Sequence, residues 1–257
     1  MNFLTTFFQQ LYVMPFEQAV LWAVAGNIVM FVLSLLAGEW LVKAFHDRAI
    51  TPPPPPVKRE EIILALLCVV LNALVAAIGL AMWRAEIIVL RPDGGLATTL
   101  SDTLLLILMM DFGMYVFHRV AHHPILFPII HLTHHKYENP RPLTLFVLNP
   151  FEVLGFGALL IGVIWISHAS QLGIVLYLAF NLAFGMIGHL GVEPAPARWL
   201  NLPIIRYIST STFHAEHHQD KDHNYGFYTV LWDRLFSTLS TEYLQDFGRA
   251  TGQNVSK

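Results

Sequence analysis

The chain is 257 residues long, 55% apolar and 13% charged, with a net charge of −3 and a mean hydropathy of +0.53. Soluble domains carry about 25% charged residues, so this sequence lacks the polar surface of a water-soluble globule of its size and is too apolar to be disordered. Its 15 Lys and Arg against 18 Asp and Glu leave no basic footprint for nucleic acid, and a single cysteine, Cys68, excludes an internal disulfide framework, a multi-thiolate zinc site and an iron–sulfur cluster.

Residues 1–16 contain no Lys or Arg and carry Phe3, Phe7, Phe8, Tyr12 and Phe16. Without a basic start or a small-residue cleavage site they read as an interfacial segment, not a signal peptide. Next come 21 uncharged residues, Gln18–Gly38, and, after a polyproline spacer at Pro52–Pro56, 22 more at Ile62–Trp83. Each is long enough to cross a bilayer, which takes about 20 mostly apolar residues. A third run, Gly94–Phe117, is interrupted by Asp102 and Asp111. Val153–Val192 then gives 40 residues without Asp, Glu, Lys or Arg, broken by Ser167-His168-Ala169-Ser170-Gln171 into two spans joined by a hairpin. Gly155, Gly157 and Gly162 suit close helix contact there. The expected fold is an all-α integral membrane protein with about five transmembrane helices, or four if the first lies along the surface. Residues 1–60 form an N-terminal segment, first span and Pro-rich linker, and 61–257 form the main membrane domain with a helical cap. Alternate loops hold 13 of the 15 positive charges, which places the cap in the cytoplasm and the N-terminus outside. A sequon at Asn254-Val255-Ser256 then falls on the wrong side for glycosylation.

Of 13 histidines, 11 lie between His118 and His218. His118 and His122 form an H-x3-H, with His123 beside it. His131, His134 and His135 form an H-x2-H-H, and His214, His217 and His218 repeat it. Spacings of three and four put side chains on one helical face, and all three clusters, with His189, fall at or beyond the cytoplasmic ends of spans. So many imidazoles in one place point to metal, and because one ion takes about four to six ligands, they point to two ions. Glu216 stands two residues after His214, so there is no H-E-x-x-H and helix-type zinc proteolysis is disfavoured. A polyhistidine site facing a bilayer best fits iron activating dioxygen against a C–H bond.

Asp111-Phe-Gly-Met-Tyr115-Val-Phe-His118-Arg119-Val-Ala-His122, the two H-x2-H-H motifs and Asn224-Tyr225-Gly226…Trp232-Asp233-Arg234-Leu235-Phe236 resemble the fatty acid hydroxylase/sterol desaturase superfamily over roughly residues 100–240. The resemblance implies a helical, di-iron, dioxygen-dependent membrane oxidoreductase acting on lipid or sterol chains. Its ligand motifs fall on His118, His122, His131, His134, His135, His214, His217 and His218. A further motif falls on His189-Leu-Gly-Val-Glu193, where Glu193 replaces the usual second histidine and is either a ligand, a water holder or outside the shell. His123 and His223 are ligands or solvent-facing neighbours. Asp111, seven residues before His118 on the same face, is a costly intramembrane carboxylate whose expected role is to orient a ligand imidazole, with a helix-end contact to Arg119 as the rival. Glu152 serves a histidine or sits at the headgroups.

The expected chemistry is hydroxylation or desaturation of a bilayer-borne lipid, fatty-acyl or sterol-like substrate with O2 and two external electrons, at two iron ions that zinc can replace on purification. The chain carries no nucleotide fingerprint or cluster-forming cysteines, so a ferredoxin, cytochrome or flavoprotein reductase is the expected electron donor. Arg198, Arg206, Lys221 and Arg234 offer it a landing surface, or only enforce topology. The protein belongs in a bacterial inner membrane, or the endoplasmic reticulum in a eukaryote. The rival readings are a metal-ion transporter with cytoplasmic histidine clusters and a haem-carrying membrane anchor.

Overall fold

The computed structural model describes residues 3–92 and 94–252; the sequon at Asn254 lies outside them. Five helices are long and apolar enough to span a membrane: α2 (Phe16–Ala44), α3 (Arg59–Arg84), α4 (Leu96–Ala121), α7 (Pro150–Ser167) and α8 (Gln171–Gly188). A short α1 (Phe3–Val13) precedes them, and its Tyr12 ring packs edge-on against Trp83 at 5.0 Å. Between α4 and α7 come two single-turn helices, α5 (Phe127–Ile130) and α6 (Leu132–His135), and beyond α8 lie α9 (Ser211–Gln219), α10 (Leu231–Leu235) and α11 (Tyr243–Thr251). Apart from isolated bridges, the described residues form no β-structure.

The first span is a full transmembrane helix. α2 has 29 residues, about 43 Å at 1.5 Å per residue, and it packs on α3 and α8. Only Ala19, Ser34 and Gly38 are buried along it, while Leu21, Trp22, Val29, Leu33, Leu36 and Trp40 are exposed. Such a face is stable only against hydrocarbon. The polar Ser34 spends its hydroxyl on Met30 O at 2.6 Å, so it carries no unmet donor into lipid.

The helix ends are written in the sequence. Asn149 caps α7 by accepting from Phe151 N at 2.9 Å, with Pro150 in the first helical position. Ser170 caps α8 by accepting from Gly173 N at 3.3 Å. His168 takes a left-handed conformation (φ 47°) to turn the α7–α8 hairpin. At that end of the bundle Asp102 accepts from Arg91 Nη2 at 2.6 Å and from Ser170 N at 2.9 Å, so the α3–α4 loop is tied to the hairpin. At the opposite end Arg141 lies 3.2 Å from the buried Glu61 at the start of α3. The loops at this second end, together with α9–α11, make the cap.

Small residues set how closely the helices approach, though not all three glycines on α7 act alike. A Cβ on Gly157 would lie 2.9 Å from Val75 Cγ1 on α3, and one on Gly155 2.6 Å from Phe117 Cε2 on α4. Gly162 has nothing within 4 Å, so its expected packing role is not met. Gly157→Ala should therefore lower the stability of the detergent-solubilised protein by about 1–3 kcal/mol through overpacking. Gly162→Ala should leave the thermal midpoint unchanged or slightly raised, since alanine is the better helix former. Equal effects of the two substitutions in a thermal melt would contradict this packing.

Candidate metal centre

Four pieces of chain bring imidazoles to the cap end of the bundle. α4 ends in His118 and its C-cap His122, one turn apart. α5 and α6 follow, with His131 at their junction and His134 and His135 closing α6. His189 caps α8. His214, His217 and His218 lie on α9, which Thr210 caps through Phe213 N at 3.4 Å. The buried Glu193 carboxylate also sits at the start of α9, accepting from Thr212 N at 2.9 Å and Thr212 Oγ1 at 2.7 Å. A negative charge is favourable at that end of a helix.

The nine imidazoles sort into two groups. His118, His122, His131, His135 and His217 each place a ring nitrogen within 4.8 Å of the others, and His134, His189, His214 and His218 do the same. Helical geometry explains the division. The i,i+4 pairs His118/His122, His131/His135 and His214/His218 share a face and stay together. The middle histidine of each H-x2-H-H, His134 or His217, points to the other group. Each motif thus spans both groups, and the rings of His135 and His218 lie only 5.1 Å apart across the divide.

Hydrogen bonds to the outer ring nitrogens fix several tautomers. His118 Nδ1 donates to Tyr225 O (2.9 Å), His217 Nδ1 to His223 O (2.6 Å) and His189 Nδ1 to Gly185 O (2.7 Å). A carbonyl oxygen only accepts, so each of these Nδ1 atoms carries the proton and each Nε2 presents a lone pair. His131 Nδ1 lies 2.7 Å from Glu152 Oε1 and donates to it when that carboxyl is ionised. Yet His118 Nε2 and His131 Nε2 lie 2.9 Å apart, and His135 Nε2 lies 3.0 Å from His217 Nε2. In the second group His214 Nε2 is 3.3 Å from His189 Nε2 and 3.1 Å from His218 Nε2. His122 Nε2 is buried with no hydrogen-bond partner among the described residues. Where both nitrogens present lone pairs, as at His118 and His131 beside an ionised Glu152, they repel unless a cation sits between them. An all-imidazole donor set fits first-row transition ions, iron and zinc among them.

Several expected roles are reassigned by the geometry. Asp111 contacts neither an imidazole nor Arg119. Its carboxylate accepts from Tyr228 N, Thr229 N, Thr229 Oγ1 and Trp232 Nε1 at 2.6–3.1 Å, because the 228–232 segment packs against that face of α4. Glu152 is the carboxylate that orients a ring. Glu193 belongs to neither group, being spent on α9. His123 is exposed and His223 pairs with Asp220 at 3.0 Å, so neither side chain joins a group. The backbone carbonyls of Gly185, His223 and Tyr225 were not foreseen, since carbonyl acceptors leave no residue-type signal. The intramembrane Asp111 and the Asn224-Tyr225-Gly226 motif were the available hints.

A bundle of five apolar spans with paired histidine groups at one end defines a membrane protein built to hold metal. The sequence matches the fatty acid hydroxylase family over residues 103–238, more than half the chain and a stretch that contains all nine imidazoles. The chain belongs to that family. It is 30% identical over 157 residues to a very-long-chain aldehyde decarbonylase of Oryza sativa subsp. indica, covering 58% of this chain and 24% of the relative. It is 30% identical over 136 residues to a probable Delta(7)-sterol 5(6)-desaturase of Neurospora crassa (51% and 36%). It is also 30% identical over 147 residues to a Delta(7)-sterol 5(6)-desaturase of Aspergillus fumigatus (57% and 40%). The chain therefore spans between about a quarter and two fifths of the length of these relatives. No solved structure matches it.

Burial keeps the imidazoles outside the spans neutral. Loss of hydration is the first cause throughout, with repulsion among neighbouring rings adding to it in most. His122 falls to about 2, His135 to about 3 and His189 to about 4. His131, His134, His214, His217 and His218 all lie well below 6.5. In the unfolded chain these eight rings take up protons as the pH falls through 6.5, whereas in the folded chain they do not, so acid favours unfolding. Burial raises Glu193, Glu216 (to about 7) and Asp233 (to about 6), which act in the opposite sense above pH ~4, but eight rings outnumber three carboxyls. The metal-free protein in detergent should unfold at a lower temperature at about pH 5 than at pH 7. A midpoint that is flat or higher at pH 5 would contradict the neutral-imidazole assignment.

Proposed function

We propose that this chain is a membrane di-iron oxygenase that hydroxylates or desaturates an unactivated C–H of a lipid, fatty-acyl or sterol-like substrate. The observation that carries the reading is the pair of converging Nε2 groups, five and four strong, at the end of a lipid-exposed bundle. His118, His122, His131, His135 and His217 would hold one iron, and His134, His189, His214 and His218 the other. When bound, the iron pair supplies dioxygen activation. Hydroxylation consumes R–H, O2, two electrons and two protons and yields R–OH and water. Desaturation removes two hydrogens from adjacent carbons and yields an alkene and two waters.

The protein's own part is placement and exclusion of water. A cavity of about 10 Å³ lies beside His189 and His214, walled by Phe184, Gly185, Gly188 and Phe227. It has room for roughly one water-sized molecule, and its largely apolar walls suit a hydrocarbon approach from α8. A Cβ on Gly188 would press within 3.3 Å of the His214 ring, so glycine keeps this approach open. The substrate enters from the bilayer in this reading, and the electrons come from an external ferredoxin, cytochrome or flavoprotein reductase. Two of the candidate landing residues, Arg206 and Arg234, lie over the Tyr207 ring at 5.1 and 5.3 Å on the cap surface. The charge asymmetry of the loops supports a cytoplasmic cap. Confinement of the imidazoles to one end of the bundle favours an oxygenase over a transporter, whose ligands usually sit at midplane.

Comparative lipidomics of cells expressing the intact protein or His134→Ala is the direct test. One lipid class should gain one oxygen, or lose two hydrogens, only with the intact protein. Indistinguishable lipid profiles at equal expression would count against the enzymatic reading.

A further inference from the structure

Resting on that metal reading, we infer that the stretch from His223 to Gly226 is an outer bracket of the five-imidazole group, and that Asp111 and Asp233 are the positioning residues that hold it. Two of the five imidazoles in this group, those of His118 and His217, owe their tautomer to carbonyls of this stretch, Tyr225 O and His223 O. The residue between them, Asn224, is fully buried and left-handed, with φ 60°. That conformation, which asparagine tolerates better than most residues, sets the two flanking carbonyls toward two imidazoles.

The bracket is held on every side. Asn224 N donates to Thr238 O at 2.8 Å, and Asn224 Oδ1 accepts from Ser240 N at 2.8 Å. Its Nδ2 donates to Phe213 O on α9 at 3.0 Å and to Glu216 Oε2 at 3.1 Å. Asp233 takes the next two amides, Tyr225 N at 2.8 Å and Gly226 N at 2.7 Å, and also Thr238 Oγ1 at 2.7 Å. A Cβ on Gly226 would lie 2.6 Å from Asp233 Oδ2, so only glycine fits there. The far side is fixed by Asp111, whose Oδ1 accepts from Tyr228 N (2.9 Å) and Thr229 N (3.1 Å). Its Oδ2 accepts from Thr229 Oγ1 (2.6 Å) and Trp232 Nε1 (2.9 Å). Asp111 stands on α4 seven residues, about 10 Å, before His118. One rigid helix therefore carries both the imidazole and the anchor of the strip that orients it.

The bracket touches α9 through Asn224, but its carbonyls reach no ring of the four-imidazole group among the described residues. That group's one carbonyl-fixed ring, His189, donates to Gly185 O within α8. Loss of the Asp111 anchor should therefore loosen one group and spare the other, which general destabilisation would not do.

The test is anaerobic titration of the metal-free full chain in detergent with cobalt(II), reading ions bound per chain and the visible bands of each. The unaltered protein should bind two ions. Asp111→Asn, which can no longer accept at Oδ2, should keep the four-imidazole ion at unchanged affinity. It should bind the other at least tenfold more weakly, the usual scale for losing an outer partner of a ligand histidine. Asp233→Asn should do likewise. Thr229→Val, which removes one donor to Asp111 and the long 3.3 Å acceptor of Leu231 N but leaves the Asp111 carboxylate and its three other bonds, should show a smaller loss confined to the same ion. Val69→Ala, a truncation of a buried side chain on α3 outside the core cluster that holds Tyr228, should bind both ions as the unaltered protein does. The inference is overturned if Asp111→Asn binds both ions normally, if both weaken in parallel, or if Val69→Ala reproduces the selective loss. Failure of the unaltered protein to bind cobalt would instead remove the metal reading itself.

Discussion

Ring nitrogens are pressed together at the cap end of this bundle, at distances of about 3 Å. In most buried histidine pairs one ring donates and the other accepts, and a 2.9 Å contact is a hydrogen bond. That solution is closed to His118 and His131, because each Nδ1 is committed to an oxygen. Protonation is closed to the cap rings as well, because burial holds them well below 6.5. Converging lone pairs without protons form an arrangement that a shared cation would relieve. The fold supplies the rigidity to hold such an arrangement, since ligands come from the ends of α4 and α8 and from the whole of α9.

Membrane and metal centre make compatible demands on the same helices. The spans satisfy their own backbone and present apolar side chains to lipid, which leaves helix ends as the places where polar ligands can gather. α4 and α8 finish at the cap end, and α7 starts there with Glu152 in its first turn. An up-and-down bundle thus brings two helix ends and one helix start to a single level without any polar residue having to face lipid. The interleaved H-x2-H-H motifs then make the two groups interdependent. His134 and His217 sit in each other's territory, so moving α6 or α9 as a whole would disturb both, whereas the carbonyls of His223 and Tyr225 bear only on rings of the five-imidazole group.

The large-scale architecture was legible from charge alone, because Asp, Glu, Lys and Arg are excluded from long apolar spans and their absence marks the spans. Eight of the ring-bearing positions were legible too, since i,i+3 and i,i+4 spacing carries geometric information, and His189 was read from its place at the end of the fifth span. What escaped was the layer around the rings. Asp111 reads in sequence as a partner for His118, being two turns away on one face, but the 228–232 segment packs against that face first and takes both oxygens. Glu193 reads as a substitute ligand, yet the start of α9 claims it. In both cases a nearby backbone amide outcompeted the distant imidazole, and no residue pattern records where such amides fold back. The same holds for Tyr225 and His223, which act through carbonyls that every residue type possesses.

The relatives sharpen what the ligand set can and cannot decide. Proteins named for sterol desaturation and for aldehyde decarbonylation both match this chain at about 30% identity. If ligand identity dictated the reaction, such different products would not accompany sequences this similar across the family's segment. Membership of the family's segment alone therefore does not specify which product forms. In this chain the wall nearest the imidazoles is built by Phe184 and Phe227 on either side of Gly185 and Gly188. Two bulky rings flank two positions where any side chain would crowd Leu145 or His214. These walls belong to no metal-binding motif, so the surroundings of the imidazoles vary independently of the imidazoles themselves.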